Sequence, residues 1–359
     1  VYKVDLTRPV TAGELESRIR GMLADEMSLR ERGAESFRMR ADEIRSATEE
    51  IETERVYMHA ADLYRFGSKN IRADGGGNRR AIDYLVETLE GWGYEPILDW
   101  WQIPPDIETS NVVVRIEGTS NPELVYVISS HFDSSTRGPG ADDNSSGTTA
   151  LLEVARVLAN RPQEATIELA FFTGEESGLL GSRRYVAEAQ ESGKRIVGAL
   201  NNDMVGWAGD HRLDNTIRYS NPGIRDIQHA AAMMFSNLIT YDALYYKSTD
   251  AAAYYEAYGD IVGGIGSYPG LSNPHYHQYT DRLETINHEL VAEVAKTTAA
   301  TIMLLASTPS RLNGLATSLD GGELELTWIA APEYDVVAYE IEWTDADGTV
   351  RTRRVEPVS

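Results

Sequence analysis

Between Leu124 and Asp203 three apolar runs alternate with two stretches of helical spacing, and each run ends on residues able to bind a metal ion. Leu124-Val-Tyr-Val-Ile-Ser-Ser stops at His131-Phe-Asp133. Ala165-Thr-Ile-Glu-Leu-Ala-Phe-Phe-Thr stops at Gly174-Glu175-Glu176, and Arg195-Ile-Val-Gly-Ala-Leu stops at Asn201-Asn202-Asp203. Unbroken apolar runs of this length suit strands buried on both faces, and strands alternating with helices imply a parallel sheet. Ligands of open α/β sheets bind at the carboxyl ends of the strands. This stretch therefore delivers histidine, glutamate and aspartate to one edge of one sheet.

The flanking sequence extends the same architecture. Helical spacing covers 53–66, 80–92, 144–160, 179–190, 223–235, 251–258 and 290–305, and strand-like runs cover 95–103, 111–117, 216–220 and 260–266. The expected fold class is α/β, a mostly parallel mixed sheet with helices on both faces, occupying residues 53–308. Residues 1–52 are expected to form a helical extension of one or two amphipathic helices, with Leu15, Ile19, Met22, Leu23 and Met27 at helical spacing. Packing on the domain is favoured over a pro-segment or lid. Residues 309–359 change to period-two alternation, with three strands expected at 323–328, 337–343 and 349–355.

Composition excludes several classes of function. The net charge is −23 and no basic stripe is present, whereas nucleic-acid binding needs a basic face. No apolar run approaches the roughly 18 residues of a membrane span. There are no cysteines, so any metal must be held by oxygen and imidazole. The chain begins at Val1 without a leader, and export to the periplasm or extracellular space is expected.

Taken singly, the polar strand ends have ordinary explanations. A histidine closing a strand is usually a polar terminus, and acidic residues such as Asp142 and Asp143 are favoured at a helix start by capping and the helix dipole. Two adjacent aspartates in a glycine-flanked loop, Gly140-Ala-Asp-Asp-Asn144, exceed that need, and one of them has the oxygens to bridge two cations. Glu175 and Glu176 would repel each other unless a cation neutralised one. Adjacent side chains diverge, which suits one glutamate as ligand and the other as general base. With His131, Asp203 and His277, which sits in a Tyr-His loop, these positions supply two imidazoles and several carboxylates.

Taken together, in order and spacing, His131-Phe-Asp133, Gly140-Ala-Asp-Asp-Asn144, Gly174-Glu-Glu-Ser-Gly-Leu-Leu-Gly-Ser-Arg183, Asn202-Asp203-Met and Tyr276-His277 with Asp281 resemble the co-catalytic zinc aminopeptidases. That superfamily also holds glutaminyl cyclases and glutamate carboxypeptidases. The resemblance runs from about Thr53 to Leu305. It implies two zinc ions, with Asp143 bridging, His131 and Asp203 completing one site, and Glu176 and His277 the other. Glu175 is then the general base and acid, and Asp133 the partner orienting His131. The implied substrates are the amino termini of peptides or proteins. Where the family commonly has Ser-Asp-His, this chain has Thr249-Asp250-Ala251, so Asp250 joins Tyr246 and Tyr268 as a candidate substrate-pocket residue.

The rivals within the superfamily are a carboxypeptidase or dipeptidase, for which Arg137 is the candidate cation, and a glutaminyl cyclase. A non-catalytic binding protein is the rival of another class, although all five ligands are present. The tail resembles the first half of a fibronectin type III module, which implies a protein or polysaccharide partner.

Overall fold

The computed structural model describes residues 9–357 apart from 105, 211, 245–246, 270, 308–312, 321–322, 332–335 and 346. Its centre is an eight-stranded mixed sheet in the order β1 (Ile97–Ile103), β2 (Ile107–Ile116), β4 (Ala165–Phe172), β3 (Asn121–His131), β5 (Arg195–Ala208), β8 (Val262–Tyr268), β6 (Asp214–Arg218) and β7 (Ile239–Ala243). The central pairings, β4 with β3, β3 with β5 and β5 with β8, are parallel, as is β6 with β7. β1–β2, β2–β4 and β6–β8 are antiparallel. The sheet is therefore mixed and parallel at its heart, as its apolar runs require.

Each central strand feeds two cores. Leu124, Tyr126 and Ile128 of β3 and Ile167, Leu169 and Phe171 of β4 face one way, with α3 (Thr53–Arg65), α4 (Gly77–Gly91), α5 (Gly147–Leu158), α7 (Pro222–Phe235) and α9 (His288–Leu305). Val125, Val127, Ala170 and Phe172 face the other, beneath α6 (Leu180–Glu191) and α8 (Ala251–Tyr258). Burial on both faces explains why these strands read as continuous apolar runs rather than alternating ones. Each fully buried Leu, Ile or Phe contributes about 1.5–3 kcal/mol.

β3 connects to β4 on one side and the chain then returns to lay β5 on the other side of β3. The order reverses there, and the reversal opens a crevice at the carboxyl end of β3. His131, the last residue of β3, stands at its floor.

The amino-terminal part forms two helices, α1 (Ala12–Phe37) and α2 (Ala41–Glu49), with Phe37 and Ile44 fully buried. Past α9 the described residues form two separate antiparallel ladders, β9 (Asn313–Asp320) with β10 (Glu323–Ile329) and β11 (Tyr339–Thr344) with β12 (Val350–Val355). Four strands thus stand where three were expected. No helix among the described residues is long and apolar enough to cross a membrane.

One strand departs from its expected end. β5 does not stop at Asp203 but runs on to Ala208, and its register with β8 breaks between Asp203 and Ala208. Met204 takes φ 58°, a left-handed value costly for a side-chain-bearing residue. The polar residues at 201–203 mark this irregularity rather than the end of the strand.

Candidate metal centre

Five segments converge over the crevice. His131 arrives on β3 and Asp203 on β5. Glu175 and Glu176 come from a single turn after β4, and His277 from the loop after β8. Asp143 is delivered by an irregular turn, Ala141–Ser146, in which Asp143 (φ −110°, ψ 91°) leaves helical geometry. Helix α5 therefore begins at Gly147 rather than Asn144. Gly140, just upstream, has φ 60°, and a β-carbon there would strike the Asp143 carbonyl. Only glycine permits that turn.

The ligand-type atoms fall into two triads, His131 with Glu175 and Asp203, and Asp143 with Glu176 and His277, each with its atoms within 4.8 Å of one another. Asp143 stands between them. Its Oδ1 lies 3.4 Å from His131 Nε2 and its Oδ2 lies 3.0 Å from His277 Nε2. His131 Nε2 is also 3.3 Å from Asp203 Oδ1 and 4.0 Å from Glu175 Oε2, and His277 Nε2 is 3.0 Å from Glu176 Oε2. All five expected ligands and Glu175 are thus brought together. Glu175 is itself a member of the first triad, a place that suits a ligand as well as a base.

Neighbouring carboxylates hold this set in place. Asp133 accepts the backbone N–H of Glu175 at Oδ1 (3.2 Å) and of Glu176 at Oδ2 (3.4 Å), while facing His131 Nδ1 at 3.4 Å. Asp281 accepts the N–H of Asp142 (2.8 Å) and of Asp143 (3.0 Å). Asp142 points away from the triads, accepting from Gly206 N–H and Asn273 Nδ2. Below them lies a fully buried lysine, Lys69, whose ammonium donates to the Pro139 carbonyl and which burial lowers to about 8 against the pull of Asp281, Asp133 and Asp143.

So many buried acids disturb one another's titration. Burial pushes Asp143 up to about 7 despite its bond to His277, and Glu175 is raised well above the carboxylate range by burial and then by Asp203 and Asp250. Hydrogen bonds to Asp143 and Glu176 raise His277 to about 10. Glu176 Oε1 is buried without a hydrogen-bond partner. A crowd of carboxylates that favours protonation, with an orphaned oxygen and two imidazoles, is what a pair of divalent cations would relieve. An oxygen and imidazole donor set suits zinc.

The cavity above the triads has a volume of about 210 Å³. Asp250 is fully buried beneath and is not one of its lining residues. Tyr268 stacks on Tyr241 at 4.1 Å and does not line it either. Tyr246 lies outside the described residues. Arg137, the candidate cation of the carboxypeptidase rival, is exposed and does not line the cavity, whereas Arg218 does. Tyr276, which lines the cavity and stacks on His277 at 3.8 Å, was missed as a pocket residue, although its place next to His277 was a usable signal. Asp281 stands in the Tyr276-His277 motif, but its role does not show there, and Arg218 gives no signal, since what each reaches is far away in sequence.

The model of peptidase family M28 matches residues 111–302. A probable zinc metalloprotease of Leptosphaeria maculans is 25% identical over 391 aligned positions, covering 88% of this chain and 89% of that protein. Aminopeptidase YwaD of Bacillus subtilis is 32% identical over 207 positions, 54% of this chain and 44% of that one. Among solved structures, LapB from Legionella pneumophila superposes with a TM-score of 0.66 at 20% identity, covering 74% of this chain and 75% of LapB. Glutaminyl cyclase of Porphyromonas gingivalis superposes at 0.59 and 21% identity, covering 70% and 98%. These likenesses to solved structures bear on the fold. With the family match over the segment that carries His131, Asp143, Glu175, Glu176, Asp203 and His277, the chain belongs to peptidase family M28 and is a peptide hydrolase.

Proposed function

We propose that the protein is a two-zinc aminopeptidase, removing single residues from the amino end of peptides. The observation that carries this reading is the position of Asp143, with one carboxylate oxygen toward each triad. His131 and Asp203 would hold one ion, Glu176 and His277 the other, and Asp143 both. Zinc bound there supplies Lewis acidity, lowering the pKa of water and polarising a carbonyl.

The remaining work belongs to the side chains. Glu175 Oε2 takes a proton from the water that attacks the scissile carbonyl carbon, and returns it to the nitrogen as the C–N bond breaks. Burial, with Asp203 and Asp250 nearby, raises the Glu175 carboxyl well above the carboxylate range, which favours its holding the proton that it must return. Asp133 fixes the Glu175 backbone while it does so. The carboxylate-rich wall receives the substrate's α-ammonium, which is the basis for preferring an aminopeptidase. Names of relatives agree in kind: aminopeptidase YwaD and leucine aminopeptidase 1 of Trichophyton rubrum.

The test uses one peptide, free or acetylated at its amino end, incubated with zinc-loaded protein, with products identified by mass. Release of single residues from the free form alone is expected. Equal cleavage of both forms moves the activity to a carboxypeptidase. Glu175→Gln separates base from ligand: two zinc ions per chain by elemental analysis with turnover lower by about 10²–10⁴-fold is expected. Loss of one zinc would instead make Glu175 a ligand, as its place in the first triad allows.

A further inference from the structure

The cavity wall carries four carboxylates, those of Asp143, Glu175, Glu176 and Asp203, and among its described lining residues one arginine or lysine, Arg218. Arg218 is the last residue of β6 and is 7% exposed. Its route to the site crosses a strand. β8 lies between β6 and β5, and Gly266 of β8 pairs with Thr216 on one side and with Asp203 on the other. A β-carbon on Gly266 would overlap the Arg218 guanidinium. The missing side chain is the gap through which the arginine head lies over β8 toward Asp203. Asp203, whose carboxyl burial alone would raise, is held down by His131 and by Arg218.

We propose that Arg218 makes this peptidase select substrates whose amino-terminal residue carries a side-chain carboxylate. The proposal rests on the aminopeptidase reading, which sets the α-ammonium against the acidic wall and turns the first side chain into the rest of the cavity. A largely desolvated guanidinium meets a carboxylate with two parallel N–H···O bonds and repels an ammonium. The uncharged lining residues, Ser248, Thr249, Met204, Leu271 and Tyr276, supply no second cation. The competing explanation is that Arg218 only balances the charge of Asp203. A substrate's carboxyl-terminal carboxylate has the same chemistry and is tested alongside.

The experiment compares kcat/KM of the zinc-loaded full chain on Glu-, Gln-, Leu- and Lys-4-nitroanilide, and on an acetylated dipeptide with a free or amidated carboxyl end. The wild type is expected to prefer Glu over Gln by about 10- to 100-fold, the range of a charge-assisted pair, with Lys poorest. Arg218→Leu should lose Glu and gain Leu while keeping its zinc. Gly266→Ala, which displaces the guanidinium without removing it, should shift the Glu to Gln ratio the same way. A common fall on all aminoacyl substrates in Arg218→Leu, or loss of zinc, overturns the proposal in favour of charge balance. Hydrolysis by the wild type without Glu to Gln discrimination overturns the proposal alone. No hydrolysis of any aminoacyl substrate overturns the aminopeptidase reading and the proposal with it. Cleavage of the acetylated dipeptide that requires its free carboxyl end assigns Arg218 to the opposite end of the substrate.

Discussion

Two carboxylates that need bind no metal do much of the positioning. Asp133 spends both oxygens on the Glu175 and Glu176 amides, so it fixes one residue of each triad through the backbone. Asp133→Asn keeps the shape but offers one acceptor oxygen where the carboxylate offers two. Groups that orient ligands typically cost 10–100-fold in metal affinity or activity when changed, and a fall of about that size in kcat/KM is expected, with zinc affinity measured in parallel. Unchanged values of both would show that the two amides hold their place without Asp133. Asp281 plays the equivalent part for Asp143, and Asp281→Asn is expected to weaken zinc binding more than Asp133→Asn, because it holds the backbone amide of the residue between the triads. That the triad residues would gather was legible in the sequence, because histidine and paired acids at the ends of apolar runs have few other uses. The role of Asp281 was not, since its partner is 138 residues away. Nor was that of Arg218, which becomes a site residue only through the absence of a side chain on a neighbouring strand.

At the scale of elements, legibility followed hydrophobic pattern. β3 and β4 were plain because both faces are buried, and helices such as α4 because one face is. β7 escaped notice: Ile239–Ala243 is five residues long and mostly half-buried, so its composition shows neither period. β9, with Gly314, Ala316, Thr317 and Ser318, has equally weak strand character. The strongest exception inside an apolar run is Glu168 of β4, a buried carboxylate in a strand of fully buried residues. It is satisfied by Lys194 at 2.8 Å, Arg115 at 2.8 Å and the Tyr185 hydroxyl. Burial would raise its pKa, but Lys194, Tyr185 and Arg115 together hold it below the usual value. A depressed carboxylate contributes stability that is present above its unfolded pKa of about 4.3 and lost as pH falls through the folded value. Glu168→Gln should therefore cost about 2 kcal/mol at neutral pH, less than the 3–5 of a fully buried pair because Arg115 and Lys194 keep 31% and 25% of their side chains in water. The gap between wild type and variant in urea unfolding should close as pH drops below about 4. A gap independent of pH would mean that packing, not charge, accounts for the loss.

The whole molecule sets its amino-terminal helices apart from the chemistry, and this bears on whether they restrain the enzyme. α1 starts at a capping box, with the Thr11 hydroxyl accepting from Glu14 N–H and the Glu14 carboxylate accepting from Thr11 N–H. Its carboxyl-terminal end is the anchored one: Gly33 lets α1 approach Ala230 of α7, and Phe37 meets Phe235 edge-on at 5.1 Å. Toward the amino end Leu23 and Met27 are left exposed, at 42% and 61%. Among the described residues none of α1 or α2 lines the cavity, whereas α3 packs against the turn that carries Asp143. A pro-segment or lid would have to meet the cavity wall, and α1 meets α7. Truncation of the chain before Arg32, which spares Gly33 and Phe37, is therefore expected to leave kcat/KM within about twofold. The first turns lack a buried face to lose, so Tm should fall by only about 2–4 °C, the shift of roughly 1 kcal/mol in a domain of this size. A tenfold rise in kcat/KM on truncation would make α1 an inhibitory segment after all. A fall of that size, with Tm unchanged, would make it part of the substrate's binding surface.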